Sequence, residues 1–76
     1  MTKYAHPQPT FTAVSRGVYA VWVADRLNIG KVRAGTVERR EHPFYGVDWV
    51  GRYNDGSVAG LSHDRRIDAA WALINS

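Results

Sequence analysis

Residues Gly17-Val18-Tyr19-Ala20-Val21-Trp22-Val23-Ala24 are apolar at every position after the glycine. The run is far shorter than the roughly 20 residues of a membrane helix, and its β-branched and aromatic content reads as a strand. A strand sends alternate side chains to opposite faces of its sheet. Val18, Ala20, Trp22 and Ala24 form one set, and Tyr19, Val21 and Val23 form the other. Both sets are apolar, so this strand asks for cover on both sides, and the rest of the chain has to be read for what can supply it.

Following the chain outward, Asp25 to Asn28 is a polar break with turn chemistry, and a second strand follows in Ile29–Val37, with Gly30 and Gly35 as bend or bulge points. Two strands so closely joined read as a hairpin. Glu38 to Pro43 is a mixed-charge loop expected to project into solvent. Phe44 to Tyr53 is a third strand, Asn54-Asp55-Gly56 a tight turn, and Ser57 to Leu61 a short fourth strand. From Ser62, a good N-cap, Ile67, Ala70, Trp71 and Ile74 recur at the spacing of an amphipathic helix, leaving Arg65, Arg66 and Asp68 for water. Residues 1–15, with Pro7 and Pro9, read as an extended arm, either loose or docked through Tyr4, Phe11 and Val14 on a domain spanning 16–76.

The expected fold is α+β: a three- to four-stranded antiparallel sheet with one C-terminal helix packed on one face. A helix of about 13 residues is about 20 Å long and covers one face of such a sheet, not two. The helix is expected on the face bearing Val47 and Trp49, with Asp48, Val50 and Arg52 turned outward. In the second strand Gly30, Val32 and Ala34 would face the helix and Ile29, Lys31 and Arg33 would face out, unless a bulge at either glycine swaps the register. Which set of the first strand faces out stays open: Val18, Ala20 and Trp22, or Tyr19, Val21 and Val23. Either way the second face is part apolar and part cationic. The arm, a second copy of the chain or a functional partner could cover it.

Composition narrows the classes. With 76 residues, 45% of them hydrophobic and 22% charged, the chain makes one small globular domain and not a disordered segment. It has no cysteine, so disulfides, thiolate chemistry and Cys-based zinc sites are excluded. The amino-terminal MTKYAHPQPT has no apolar core of signal-peptide length, and a soluble, cytoplasmic protein with no membrane association is expected. Ten Lys and Arg against seven Asp and Glu give a formal charge of +3, which suits nucleic acid or an acidic protein surface.

Catalytic signals are weak. His6, His42 and His63 have no metal-ligand spacing, Ser15, Ser57, Ser62 and Ser76 sit at caps, turns or the chain end, and Gly30-Lys31-Val32-Arg33-Ala34-Gly35 lacks the spacing of a phosphate loop. The chain is therefore read as a non-enzyme without cofactor, metal or small-molecule substrate. The basic residues are stronger candidates. Lys31, Arg33 and Arg52 on one sheet face could reach DNA bases or phosphates. Trp22 or Tyr19 could stack among them. Arg39 and Arg40 in the loop, and Arg65 and Arg66 at the helix start, could hold phosphates.

The segment NIGKVRAG…VDWVGRYNDGSVAGLSHDRRIDAAWAL has a strand with Gly-Lys, an aromatic strand, a glycine turn and a helix with an Ala-Ala pair. It resembles the β-β-β-α sheet-reading DNA-binding domains of the plant ethylene-response type and the arm-binding domains of tyrosine-family integrases, over about residues 17–75. It differs from them in placing Asp48 among the outward residues. The small size, the lack of cysteine and an Arg-rich composition with only Lys3 and Lys31 also resemble small orphan proteins of actinobacterial phages. These likenesses imply a module that binds DNA or a host protein, and the residues themselves offer either a DNA-binding sheet face or a protein-interaction face anchored by Tyr19, Trp22 and Val50. A host protein or a second copy would be the partner in the latter case.

Overall fold

A computed structural model describes residues 6–24 and 30–74. Four antiparallel strands lie in the order of the chain: β1 (His6–Ser15), β2 (Val18–Ala24), β3 (Lys31–His42) and β4 (Gly46–Tyr53). One helix, α1 (Arg66–Ile74), packs on one face and meets β1, β3 and β4. The α+β arrangement of a four-stranded sheet and one C-terminal helix is thus the one expected, but the strands are not all the expected ones.

The arm is the first difference. Residues 6–15 do not lie across the open face; they pair in plane with β2, Thr10 opposite Trp22 and Phe11 opposite Val21, and so extend the sheet instead of capping it. The β-branched and aromatic run from Thr10 to Val14 outweighs the prolines, which an edge strand tolerates. The second difference is β3. It runs straight through Glu38-Arg39-Arg40-Glu41-His42, the stretch expected as a projecting loop. Its charges alternate sides: Glu38 and Arg40 meet Arg52 and Asp48 on β4, and Arg39 and Glu41 pair with each other along β3. β3 and β4 then meet in a tight turn at residues 43–45.

The third difference lies after β4. The turn at Asn54-Asp55-Gly56 forms: Gly56 takes φ +92, and the Asp55 carboxylate accepts bonds from the Ser57 amide and hydroxyl at 2.9 and 2.6 Å. The expected fourth strand Ser57–Leu61 is only a strap of isolated bridges along the free edge of β4, Arg52 to Val58 and Trp49 to His63. Gly60, at φ +72, breaks the ladder and leaves Leu61 exposed. Because His63 exchanges both backbone bonds with Trp49, the helix cannot begin at Ser62. It starts at Arg66 and is 9 residues long.

The core lies between α1 and the sheet. Its fully or nearly buried members are Val21, Val23, Ala34, Val37, Ala59, Ala69, Ala70, Leu73 and Ile74. The buried helix stripe is Ala69, Ala70, Leu73 and Ile74, a rotation from the expected Ile67, Ala70, Trp71 and Ile74; Trp71 is only partly covered. Two glycines permit close approach, Gly51 to the helix backbone and Gly35 to the β4 backbone. A Cβ on Gly51 would stand 2.9 Å from the Ala69 carbonyl oxygen, and one on Gly35 would stand 2.1 Å from that of Arg52. Val47, expected beneath the helix, is instead 40% exposed. Among the described residues no helix is long and apolar enough to cross a membrane.

Candidate functional site

The outer face is decided by one extra residue. Along β2 and β3 the pairs run Val23 with Val32, Trp22 with Arg33, then Val21 with Gly35, so Ala34 has no opposite number. This β-bulge changes the parity of β3. Before it, Lys31 and Arg33 share the outer face with Trp22; after it, Thr36, Glu38 and Arg40 do. Both Ala34 and Val37 can then enter the core, although they lie an odd number of residues apart. The Arg33 carbonyl accepts the side-chain amide of Asn54 at 2.8 Å, which ties the bulge to the turn after β4.

Of the two open sets in the first strand, Val18, Ala20 and Trp22 face out. Tyr19 turns to the helix side, where its ring stands 6.1 Å from that of Trp49 and the Arg66 guanidinium lies 5.0 Å above it. It therefore does not share a face with Lys31. Arg66, expected in water, also lies 4.2 Å over Phe11, and so joins the helix to β1. Val50 does face out, as expected, but it is 3% exposed, and Ala20 beside β3 is 2% exposed. Their cross-strand neighbours are Glu38 for Val50, and Thr12 and Thr36 for Ala20. Small apolar residues sit low among longer polar ones, so the face shows mainly polar and cationic groups.

The cations of that face are not equivalent. Arg40 donates from Nε and Nη2 to the two carboxylate oxygens of Asp48, directly opposite it, at 3.2 and 3.1 Å. Arg52 sits 3.8 Å from Glu38 and donates to the Gly56 carbonyl at 3.3 Å. Lys31 donates to the Thr10 hydroxyl at 3.2 Å, and the Trp22 indole donates to Thr12 at 2.8 Å. Neither Lys31 nor Arg33 has a carboxylate partner among the described residues. Arg39 is placed on the opposite side, across from Trp49, and is paired with Glu41. Of the five expected nucleic-acid residues, the structure brings Lys31, Arg33, Arg52 and Arg40 to one face, engages Arg40 with Asp48 and Arg52 with Glu38, and sends Arg39 to the other face.

One feature that sequence reasoning missed is the β3–β4 finger. β3 has no β2 partner beyond Glu38, so residues 39–49 continue as a two-stranded ribbon. Its tip presents Phe44, 92% exposed, and Tyr45, 89% exposed. The signal was available in Pro43 and Gly46 bracketing the pair, which makes a turn more natural there than a strand start. At its base a cavity of about 340 Å³ is lined by His42, Tyr45, Val47, Asp48, Ser62 and Asp64. Asp48 is the hub. Its pKa falls from 3.8 to about 2, chiefly through Arg40, with the His42 imidazole and Ser62 hydroxyl assisting. His42 Nε2 lies 3.1 Å from the Asp48 Oδ1. A carboxylate held ionised with its oxygens already engaged is a structural anchor and a poor proton carrier. Among the described residues no group of three His, Asp or Glu side chains could hold a metal ion.

No protein-family model matches the chain, and no curated protein or solved structure matches it either.

Proposed function

We propose that the chain is a non-enzymatic DNA-binding module that presents the outer face of its sheet to the duplex. The observation that carries this reading is the bulge at Ala34, which sets Lys31 and Arg33 beside Trp22 and on the same face as Arg52, the first two without a carboxylate partner among the described residues. Threonines 10, 12 and 36 surround them and supply short hydroxyl donors. Cations and hydroxyls on a twisted antiparallel face suit phosphates and groove edges. The order β2-β3-β4-α1 is also that of the sheet-reading domains the chain resembles. Use of the same face as an apolar protein interface is less favoured, because Tyr19 lies under the helix and Val50 is buried. A phage origin and a cytoplasmic site of action remain part of this reading on the strength of composition alone.

The test is fluorescence anisotropy with a random-sequence duplex over a salt series. Three phosphate contacts predict a loss of about 40-fold in affinity between 50 and 200 mM salt. Replacing Lys31 and Arg33 together by alanine should lower affinity by about tenfold or more at low salt without changing thermal stability. Absence of binding at micromolar protein in low salt, or binding unaffected by the double substitution, overturns the proposal.

A further inference from the structure

The two edges of the sheet are treated differently. The strap 57–63 runs along the free edge of β4 and engages the main chain of Trp49, Gly51 and Tyr53. At the other edge, no backbone among the described residues pairs with β1 except β2. The usual devices that blunt an edge are lysine, proline, bulges and cover. β1 has prolines only at positions 7 and 9, and its register with β2 is regular from Thr10 to Ala13 and shifts on either side, between His6 and Thr10 and between Ala13 and Ser15. From Thr10 to Ser15 it carries no charge and no proline. Thr10, Thr12, Ala13, Val14 and Ser15 are exposed, Val14 to 56%. Only Phe11 of this stretch is partly covered, clamped beneath Arg66, which holds the strand flat against the sheet.

We propose that this edge is a self-association site: Thr10–Ser15 pairs antiparallel with the same residues of a second copy about a twofold axis perpendicular to the sheet. An uncharged, β-branched edge that is in continuous register over Thr10–Ala13 is complementary to itself there, because its main-chain donors and acceptors repeat in the order an inverted copy needs. The net charge of +3 on each chain works against contact through the cationic outer face, whereas Thr10–Ser15 itself carries no charged side chain, Lys31 reaching only the Thr10 hydroxyl at its start and Arg66 the Phe11 ring. The pairing joins two sheets into one of eight strands, with both outer faces on the same side. At about 4.8 Å between strands, the two β3 strands would lie about 24 Å apart, with the Lys31 and Arg33 of each copy displaced toward opposite ends of the joined sheet. The contact is small, so association belongs to the high-micromolar range. It does not depend on the DNA reading.

The experiment is sedimentation equilibrium of the full chain from low micromolar to millimolar concentration, with amide NMR spectra recorded across the same dilution series. The mass should rise from 8.5 kDa toward twice that value, and the dilution shifts should fall on the amides of Thr10–Ser15. Val14→Lys, at an exposed position, should hold the mass at one chain. The pair Phe44→Ser and Tyr45→Ser at the finger tip should associate as the parent does. A mass of one chain at every concentration overturns the proposal. So do dilution shifts centred on the finger or on Trp22 and Arg33, which would assign the contact to those surfaces, and the NMR readout stands even where a variant folds poorly.

Discussion

On the helix side of the sheet the strands are thin, with glycine at positions 35 and 51 and alanine or valine around them. On the outer side they carry Lys31, Arg33, Thr36, Glu38, Arg40, Asp48 and Arg52. The helix side works by close backbone approach, where a single added atom has nowhere to go. The outer side works by paired and unpaired charges in contact with water, where side chains can move aside. Substitutions should therefore read as stability changes on one face and as binding changes on the other, and that division can be attacked at several points.

The sharpest attack is Gly35→Ala. The new Cβ would stand 2.1 Å from the Arg52 oxygen and 3.1 Å from Leu73, at a φ of +155. Strand β4 cannot retreat without unseating α1, so a cost of about 3–5 kcal/mol is expected. In a domain this small that lowers the melting temperature by roughly 15 °C or more, or leaves the chain unfolded. Gly30→Ala, whose Cβ would meet nothing within 4 Å, should be close to neutral in the same circular-dichroism melt. Next comes Leu73→Ala. Leu73 is 2% exposed and packs over both glycines. Its truncation should cost about 2–4 kcal/mol, against less than about 0.5 kcal/mol for Thr36→Ala on the outer side. Equal losses in those two variants would erase the distinction between the faces.

The same division explains what could be read from the sequence. The helix-side residues of β4 and the outward Asp48, Val50 and Arg52 followed from simple alternation, because β4 is regular from Gly46 to Tyr53. The outward placement of Lys31 and Arg33 followed from alternation before the bulge. Past it, Arg39 and Arg40, expected in a projecting loop, lie on β3 and on opposite faces, and the pattern Val-Arg-Ala-Gly-Thr-Val does not say which residue is extra; the Asn54 side chain and the Arg52 backbone decide that from a distance. The arm could not be placed for a related reason. Pro7 and Pro9 point to extended chain, but whether Phe11 lies across the sheet or at its edge depends on Arg66, 55 residues later in the numbering. The helix start was misread because the Trp49–His63 bridge is a long-range event that competes with the local capping signal at Ser62.

Arg66→Ala gives a smaller effect that probes this joint. Losing a cation shared by two rings should cost about 0.5–1 kcal/mol. The loss should be local: faster amide hydrogen exchange at Phe11 and Thr12, with little change at Val37 in the centre of the sheet. Uniform acceleration across all strands would mean that β1 is not a separately held element.

The smallest effect belongs to the outer face and depends on pH. Asp48 keeps its charge down to about pH 2 because Arg40 donates to both of its oxygens, with His42 and Ser62 adding to the hold. In the unfolded chain the same carboxyl titrates near 3.8. Between those values the unfolded state binds more protons than the folded one, so stability rises with pH across that window. The contribution is present in full above about pH 4 and is lost as the pH falls through about 2. Asp48→Asn removes it. Asp55, lowered by the Ser57 hydroxyl and amide, and Asp68, lowered by Arg65, act in the same direction in both proteins, so they cancel in the difference. Melting temperatures of parent and variant should therefore differ by a few degrees at neutral pH and converge as the acid limit is reached. Parallel curves with a constant offset would show that Asp48 acts through its shape and not its charge, and would move this corner of the outer face into the same class as the packed side.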